Sequence, residues 1–450
     1  MAKLNALPQG STVLVTGANG YIGSHVANTI LEQGYRVRGT VRSPKPWLDE
    51  LFQSKYGKDK YDSITLSNFE DEDALAKAFD GVSAVAHVAS DVSFSKDPNA
   101  VIPWVVRATE TVLAAAAKFP AIKRVVLTSS SSAVLIPETN KAGVRVDENT
   151  WNDSAVKSAW DPNLEEDKKP YYIYAASKTE GERAAWKWVE ENKPGYVFST
   201  VLPNCNWGEI LHPEIYGSTM GWVRDVLKGD HKAFALYVPQ YFVDVVDTAR
   251  LHAIALLGDN VESQRIFGFA EEANRSDVFK TLRALRPDNA NIPEPDENEG
   301  HDLTEVVPAK KAEQLLKDYY GRGWAGYKES LEAGIRGLIT MVESAQKKSL
   351  GPEALESDDE DQRFANRVNQ ALRDFNHTVP LSLLAWDVMM IAGIDRVDAN
   401  WQALMVFGFL VLLRVIVGDL GQWLTSLRRG FWAWLTGWRV FNRSSIDEKV

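Results

Sequence analysis

A single cysteine, Cys205, stands among 450 residues. An internal disulfide is thereby excluded, and a reducing compartment fits. Cys205 reads as a buried core residue rather than a nucleophile. An excess of positive charge is also lacking. The net charge is −11, which argues against nucleic acid as a general partner. The seven histidines are scattered and show no metal-ligand spacing, so no metal site is expected. The opening residues, MAKLNALPQGS, hold no long apolar run and do not read as a signal peptide. Internal repeats are missing. What remains is an ordinary globular composition, 45% hydrophobic and 25% charged, long enough for two or three domains.

An apolar, β-branched run, Val13–Val15, leads into TGANGYIGSHV. Ile22–Gln33 then reads as a helix and Tyr35–Val41 as a second strand, the opening of a βαβ unit. Further pairs follow: strand Ser63–Leu66 with helix Asp71–Phe79, then strand Ala84–Ala89 with helix Pro103–Lys118. Strand Arg124–Thr128 precedes the long helix Tyr174–Glu191, and Phe198–Leu202 closes the series. Apolar strands alternating with helices argue for an α/β fold with a parallel sheet covered on both faces. Past Pro203, Gly and Pro break the pattern into shorter pieces, read as a smaller substrate domain.

Gly17, Gly20 and Gly23 lie between the first strand and its helix. There the first allows a tight turn, the second lets backbone approach a pyrophosphate, and the third lets helix and strand pack closely. The helix N-terminus adds free N–H groups and a positive dipole end. Tyr21 and Ile22, at that start, are counted with the glycines as cofactor contacts. The second strand ends in RGTVRSPK. A carboxylate there would take the ribose of NAD, whereas Arg42 and Lys45 favour the 2′-phosphate of NADP.

YAASK puts Tyr174 and Lys178 four apart, on one face of a helix. A phenol is a poor proton donor near neutral pH, and a nearby ammonium lowers its pKa. Strand C-termini line the ligand crevice of a parallel sheet, and Arg124–Thr128 runs into Ser129, Ser130, Ser131 and Ser132. A hydroxyl at Ser130 can hold a carbonyl oxygen there; the other three serines are rivals on sequence alone. His87 and His25 read as structural, Asp244 and Asp247 as helix caps, and Gly217–Thr219 as a border of the substrate pocket.

Together TGANGYIGSHV, the serine cluster and YAASK resemble the extended short-chain dehydrogenase/reductases. YRVRGTVRS, GVSAVAHVASDVSFS, RVVLTSSSSAVLIP, YAASKTEGERAAWKWVEENKP and VLPN narrow the resemblance to NADPH-dependent aldehyde and ketone reductases. Methylglyoxal-reductase-like enzymes and dihydroflavonol 4-reductases are also similar. The resemblance covers roughly residues 10–345. It implies a doubly wound (Rossmann) sheet and a catalytic triad of Ser130, Tyr174 and Lys178. It further implies Arg42 on the 2′-phosphate, and Val88, Ala89, Pro203 and Asn204 along the cofactor. Relatives often carry an acidic residue for the adenine where this chain has Asn68, in TLSNF. The implied reaction is NADPH-dependent reduction of a small-molecule carbonyl. Hydroxysteroid dehydrogenases and nucleotide-sugar epimerases or dehydratases share the fold and triad, and an NADP-binding, membrane-recruited scaffold is the non-enzyme alternative.

The expected division is 1–205, mainly NADP-binding, and 206–346, mainly substrate-binding. An acidic linker, 347–379, and a hydrophobic α-helical tail, 380–450, follow. Trp401–Leu424 is long enough to span a membrane, for which about 20 residues are needed. Arg414 inside it costs about 2.5–3.5 kcal/mol on the insertion scale, roughly offset by its apolar neighbours. Arg428, Arg429, Arg439 and Arg443 favour a cytosolic C-terminus, so with Pro380–Ile394 the tail reads as a hairpin or an in-plane helix. The expectation is a cytoplasmic protein whose tail, 380–443, associates with the cytosolic face of a membrane or packs on protein. The oligomeric state is left open, a homo-oligomer included.

Overall fold

The strands, in chain order, begin with β1 (Thr12–Thr16), β2 (Arg36–Val41), β3 (Tyr61–Thr65), β4 (Val82–His87), β5 (Arg124–Thr128) and β6 (Arg145–Val146). They continue with β7 (Val197–Pro203), β8 (Cys205–Trp207), β9 (Gln240–Asp244), β10 (Arg265–Gly268), β11 (Glu271–Ala273) and β12 (Glu305–Val306). The helices are α1 (Tyr21–Glu32), α2 (Pro46–Tyr56), α3 (Glu72–Phe79), α4 (Pro98–Ala117), α5 (Asp153–Ala159), α6 (Lys169–Asn192), α7 (Thr219–Leu227), α8 (Val245–Leu257), α9 (Arg275–Leu285) and α10 (Ala309–Tyr320). This computed structural model describes residues 2–336. The expected linker and the tail segments at 380–443 lie outside the described residues.

Seven parallel strands make the central sheet, in the order β10-β7-β5-β4-β1-β2-β3. The side-chain period of two sends β1 residues to both faces. Val13 and Val15 join Val26, Ile30 and Ile254 on one side; Leu14 joins Val85, Phe79, Val112 and Phe198 on the other. A sheet apolar on both faces needs helices on both, which is the doubly wound arrangement. The strand order reverses between β1 and β4, opening a crevice at the C-terminal strand ends.

A smaller body grows beyond those ends. Strands β11, β9 and β8 form a three-stranded sheet around Trp207, Phe242, Met220, Phe234 and Leu282. The chain then returns to the central sheet, where β10 pairs with β7 and α8 packs beside Val13 and Val15.

Several boundaries differ from the sequence reading. Helix α4 starts at Pro98, not Pro103, because Asp97 caps it by accepting from Asn99 N at 3.0 Å. Proline suits a first turn, so both prolines look alike in sequence, yet Pro103 lies inside. Helix α6 likewise starts before Tyr174, at Lys169 with Pro170 in its first turn. Strand β4 ends at His87, so Val88 and Ala89 lie in the following loop, where Thr16 Oγ1 accepts from both amides at 3.0 Å. Helices α2 and α5 were not read from the sequence. Among the described residues, α4 alone is long and apolar enough to cross a membrane, and Val101, Ile102, Val105 and Val112 turn its apolar side to the core.

Candidate active site

Between β1 and α1 the chain reverses over Gly17, whose φ is +66°. A β-carbon there would also lie 3.2 Å from the Ala89 Cα. Gly20 is the N-cap of α1, and a methyl on Gly23 would overlap the Gly17 carbonyl oxygen. The helix thus sits directly on its own turn. No side chain caps α1 and no acidic residue occupies its first turn, so its leading N–H groups face the crevice uncompensated.

Around this turn the other expected cofactor residues fall as follows. Arg42 is exposed just past β2 and makes no hydrogen bond or ion pair to the described residues. Lys45 is the N-cap position of α2. Asn68 is exposed beyond β3, its Oδ1 accepting from Glu70 N at 3.0 Å. Tyr21 turns its phenol away from the turn to donate to Gly208 O at 2.9 Å, and Ile22 packs between the two bodies' cores. Pro203 ends β7, while the buried Asn204 holds Cys205 N at 2.7 Å.

Beside the turn, the end of β5 meets α6. Ser130 Oγ accepts from Ser132 N at 3.2 Å and Ser132 Oγ at 2.9 Å, which leaves its own proton to give. It lies beside the Tyr174 hydroxyl. Lys178 Nζ donates to Thr128 O at 3.2 Å. Ser129 Oγ donates instead to Glu182, so of the four serines it is Ser130 that faces Tyr174. Burial pushes the Tyr174 phenol up, and the bond from Ser130 pulls it down. The sequence expectation assigned that lowering to Lys178; here the ammonium is directed at Thr128 O, and the phenol's value is raised overall. Burial lowers Lys178 to about 8, with Glu182 opposing. A cavity of about 20 Å³, room for roughly one water, lies behind the lysine, bounded by His87, Thr128, Ser129 and Trp104.

The histidines are structural, as expected. His87 bonds Thr16 Oγ1 at 2.9 Å, and burial lowers it to about 3. His25 bonds Glu209 O at 2.9 Å, which ties α1 to the smaller body. Cys205 is buried, its thiol pushed up to about 12. Asp244 caps α8 through Val246 N at 2.7 Å, but Asp247 does not cap; it holds Arg250 at 3.0 Å and Ala325 N at 2.8 Å. Ser218, in Gly217–Thr219, has a φ of +49°.

Three residues near the site were missed in the sequence. Phe94 adopts a φ of +51° and sets its exposed ring 5.1 Å from that of Tyr174. Glu182 and Arg265 form a buried ion pair at 2.9 Å beneath Lys178. Glu182 could have been found, since it repeats the four-residue step from Tyr174 to Lys178; Arg265 carries no comparable signal.

The arrangement brings together a glycine turn beneath an uncapped helix start, a cation with no partner among the described residues, and a facing Ser–Tyr pair next to a buried lysine. Comparison with known proteins agrees with it. The chain is 44% identical over 341 residues to ketoreductase adrE of Penicillium rubens, covering 74% of this chain and 98% of that protein. It is 38% identical over 338 residues to aldehyde reductase 2 of Sporidiobolus salmonicolor, covering 74% and 98%. A reductase studied by structure-guided engineering for asymmetric catalysis superposes with a TM-score of 0.62 at 26% identity, over 74% of this chain and all of that one. Residues 13–267, from the first strand to the last of the central sheet, match the model of one family. By that match and by its turn, sheet and relatives, the chain belongs to the NAD dependent epimerase/dehydratase family.

Proposed function

We propose that the protein is an NADPH-dependent reductase of aldehydes or ketones, with Ser130, Tyr174 and Lys178 as its catalytic residues. The observation that carries this reading is the meeting of Ser130 and Tyr174 at the end of β5, with Lys178 one turn along the same helix at the crevice. The relatives' names, ketoreductase and aldehyde reductase, support carbonyl reduction.

The crevice fits a dinucleotide. Gly17 and Gly23 leave no room for a side chain at the turn, which keeps backbone at its surface, and the uncapped start of α1 suits a pyrophosphate. Gly17, Gly20 and Gly23 would hold that group, and Arg42, unpaired among the described residues and with Lys45 beside it, would take a 2′-phosphate. When bound, the nicotinamide supplies the hydride for the carbonyl carbon. Tyr174 holds the proton that the carbonyl oxygen needs as it becomes a hydroxyl. Ser130 donates to that same oxygen and lowers the charge that develops on it. Lys178, buried and cationic, favours the phenolate left behind.

The test is turnover by the full chain with a panel of aldehydes and ketones, NADPH against NADH. Tyr174→Phe is expected to lower kcat by about a hundredfold or more while cofactor binding persists, the usual scale for a lost general acid. A panel that consumes no NADPH would sink the reading.

On sequence alone, we also propose that 380–443 carries the protein to the cytosolic face of a membrane. Full-length protein that fails to float with vesicles, anionic ones included, would overturn this.

A further inference from the structure

Along α6, Tyr174, Lys178 and Glu182 recur every four residues, so one face of the helix meets the end of β5. Their partners are three consecutive residues. Lys178 bonds Thr128 O, Glu182 bonds the Ser129 hydroxyl at 2.8 Å, and Tyr174 faces Ser130. The helix therefore clasps the strand end at three points, and the proposed mechanism uses only two.

The third point is the most firmly built. Glu182 is fully buried. Its Oε1 accepts from Thr200 Oγ1 at 2.6 Å and Arg265 Nε at 2.9 Å; its Oε2 accepts from Ser129 Oγ and from Arg265 Nη2 at 3.2 Å. Arg265 is fixed in turn by the carbonyls of Glu148 and Thr150, at 2.8 and 2.9 Å, and lies 3.9 Å over the Trp151 ring. Trp186 Nε1 adds a longer bond to Oε1 at 3.4 Å, and a carboxylate held by five N–H and O–H groups is an immobile anchor. Ser129 N is also tied, to Val201 O at 2.8 Å. Ser130 follows in extended backbone, φ −159° and ψ 155°, so neighbouring side chains point to opposite sides. Pinning Ser129 toward Glu182 aims Ser130 at Tyr174.

We propose that Glu182 is a positioning residue: by gripping Ser129 it sets where Ser130 presents its hydroxyl to Tyr174 and to a substrate carbonyl. This rests on the reductase reading. Glu182 is also the counter-charge nearest Lys178 along the helix. The groups facing Lys178 are Tyr174 and Glu182 from α6 and His87 from β4, with Arg265 of β10 behind Glu182. Removing the Glu182 charge takes away the group that raises Lys178, so the ammonium is lost at lower pH.

Glu182→Gln strips Arg265 of its buried counter-charge and risks the fold, so the deciding variant is Ser129→Ala, which leaves the ion pair whole. Ser129→Ala is expected to lower kcat about tenfold or more, the scale of a small misplacement. Its KM for NADPH should stay at the wild-type value, which shows the fold intact despite the lost bond to Glu182, and its crystal structure should show Ser130 displaced from Tyr174. Glu182→Gln, where NADPH binding shows that it folds, should move the alkaline limb of kcat/KM to lower pH, while Ser129→Ala leaves that limb in place. Wild-type kcat in Ser129→Ala, or a Ser130 unmoved in its crystal structure, overturns the proposal. If the wild-type chain turns over no carbonyl, the reductase reading fails separately, and the position of Ser130 alone decides this one.

Discussion

Lys178 aims its ammonium at the main-chain oxygen of Thr128, 3.2 Å away, and not at a carboxylate. A buried cation satisfied by a neutral carbonyl keeps its charge weakly. Burial accordingly brings Lys178 down to about 8.

The rate should therefore fall as pH rises through about 8, where the ammonium is lost. The effect on stability has the opposite sign. Between about 8 and the ordinary lysine value of 10.5, the unfolded chain binds more protons than the folded one, so this lysine's contribution to stability rises with pH. A kcat/KM profile and a melting series over the same buffers check both signs. A rate that stays flat through that window would remove Lys178 from the mechanism.

Arg42 has no protein partner among the described residues, so replacing it should leave the fold alone. Arg42→Ala is expected to raise KM for NADPH by about 10- to 100-fold, the worth of a charge-assisted bond. KM for NADH should barely move. Equal losses with both cofactors would place the selector elsewhere.

Gly23→Ala adds a methyl where the Gly17 carbonyl oxygen already sits. That oxygen belongs to backbone and cannot step aside cheaply. The variant should lose NADPH affinity by an order of magnitude or more, with a lowered melting temperature. A titration of cofactor fluorescence measures it. Unchanged affinity would mean that α1 can slide along its turn.

Arg265→Met should cost about 3–5 kcal/mol, because it leaves Glu182 buried without a counter-charge. Chemical denaturation reads this directly. Arg145→Met, which breaks an exposed pair with Glu305, should cost under about 1 kcal/mol and serves as the control.

The central sheet was legible because its signal is local. Val13–Val15 is apolar and β-branched, the glycines follow at once, and Tyr174 and Lys178 declare themselves by spacing. Boundaries set by a single hydrogen bond were not legible. Asp97 moved the start of α4, and Thr16 drew Val88 and Ala89 out of their strand. Partnerships across long separations were hidden as well. Nothing near Glu182 announces that its counter-ion lies 83 positions on, in an edge strand. Phe94 was hidden for another reason: a phenylalanine in left-handed backbone contradicts its own preference, which sequence patterns can only average over.

The placing of Arg265 on the last strand of the sheet bears on the order in which the protein is made. A nascent chain that has emerged only as far as Asn204 already contains the glycine turn, Arg42, Ser130, Tyr174 and Lys178. Its Glu182 carboxylate would have the Ser129 and Thr200 hydroxyls but no counter-charge, since β10 has not yet been synthesised. Burying that charge early is costly. A chain that stopped there would carry every proposed catalytic residue and still bury a charge without its counter-ion, so the seat of the helix that bears Tyr174 and Lys178 depends on a strand made after it.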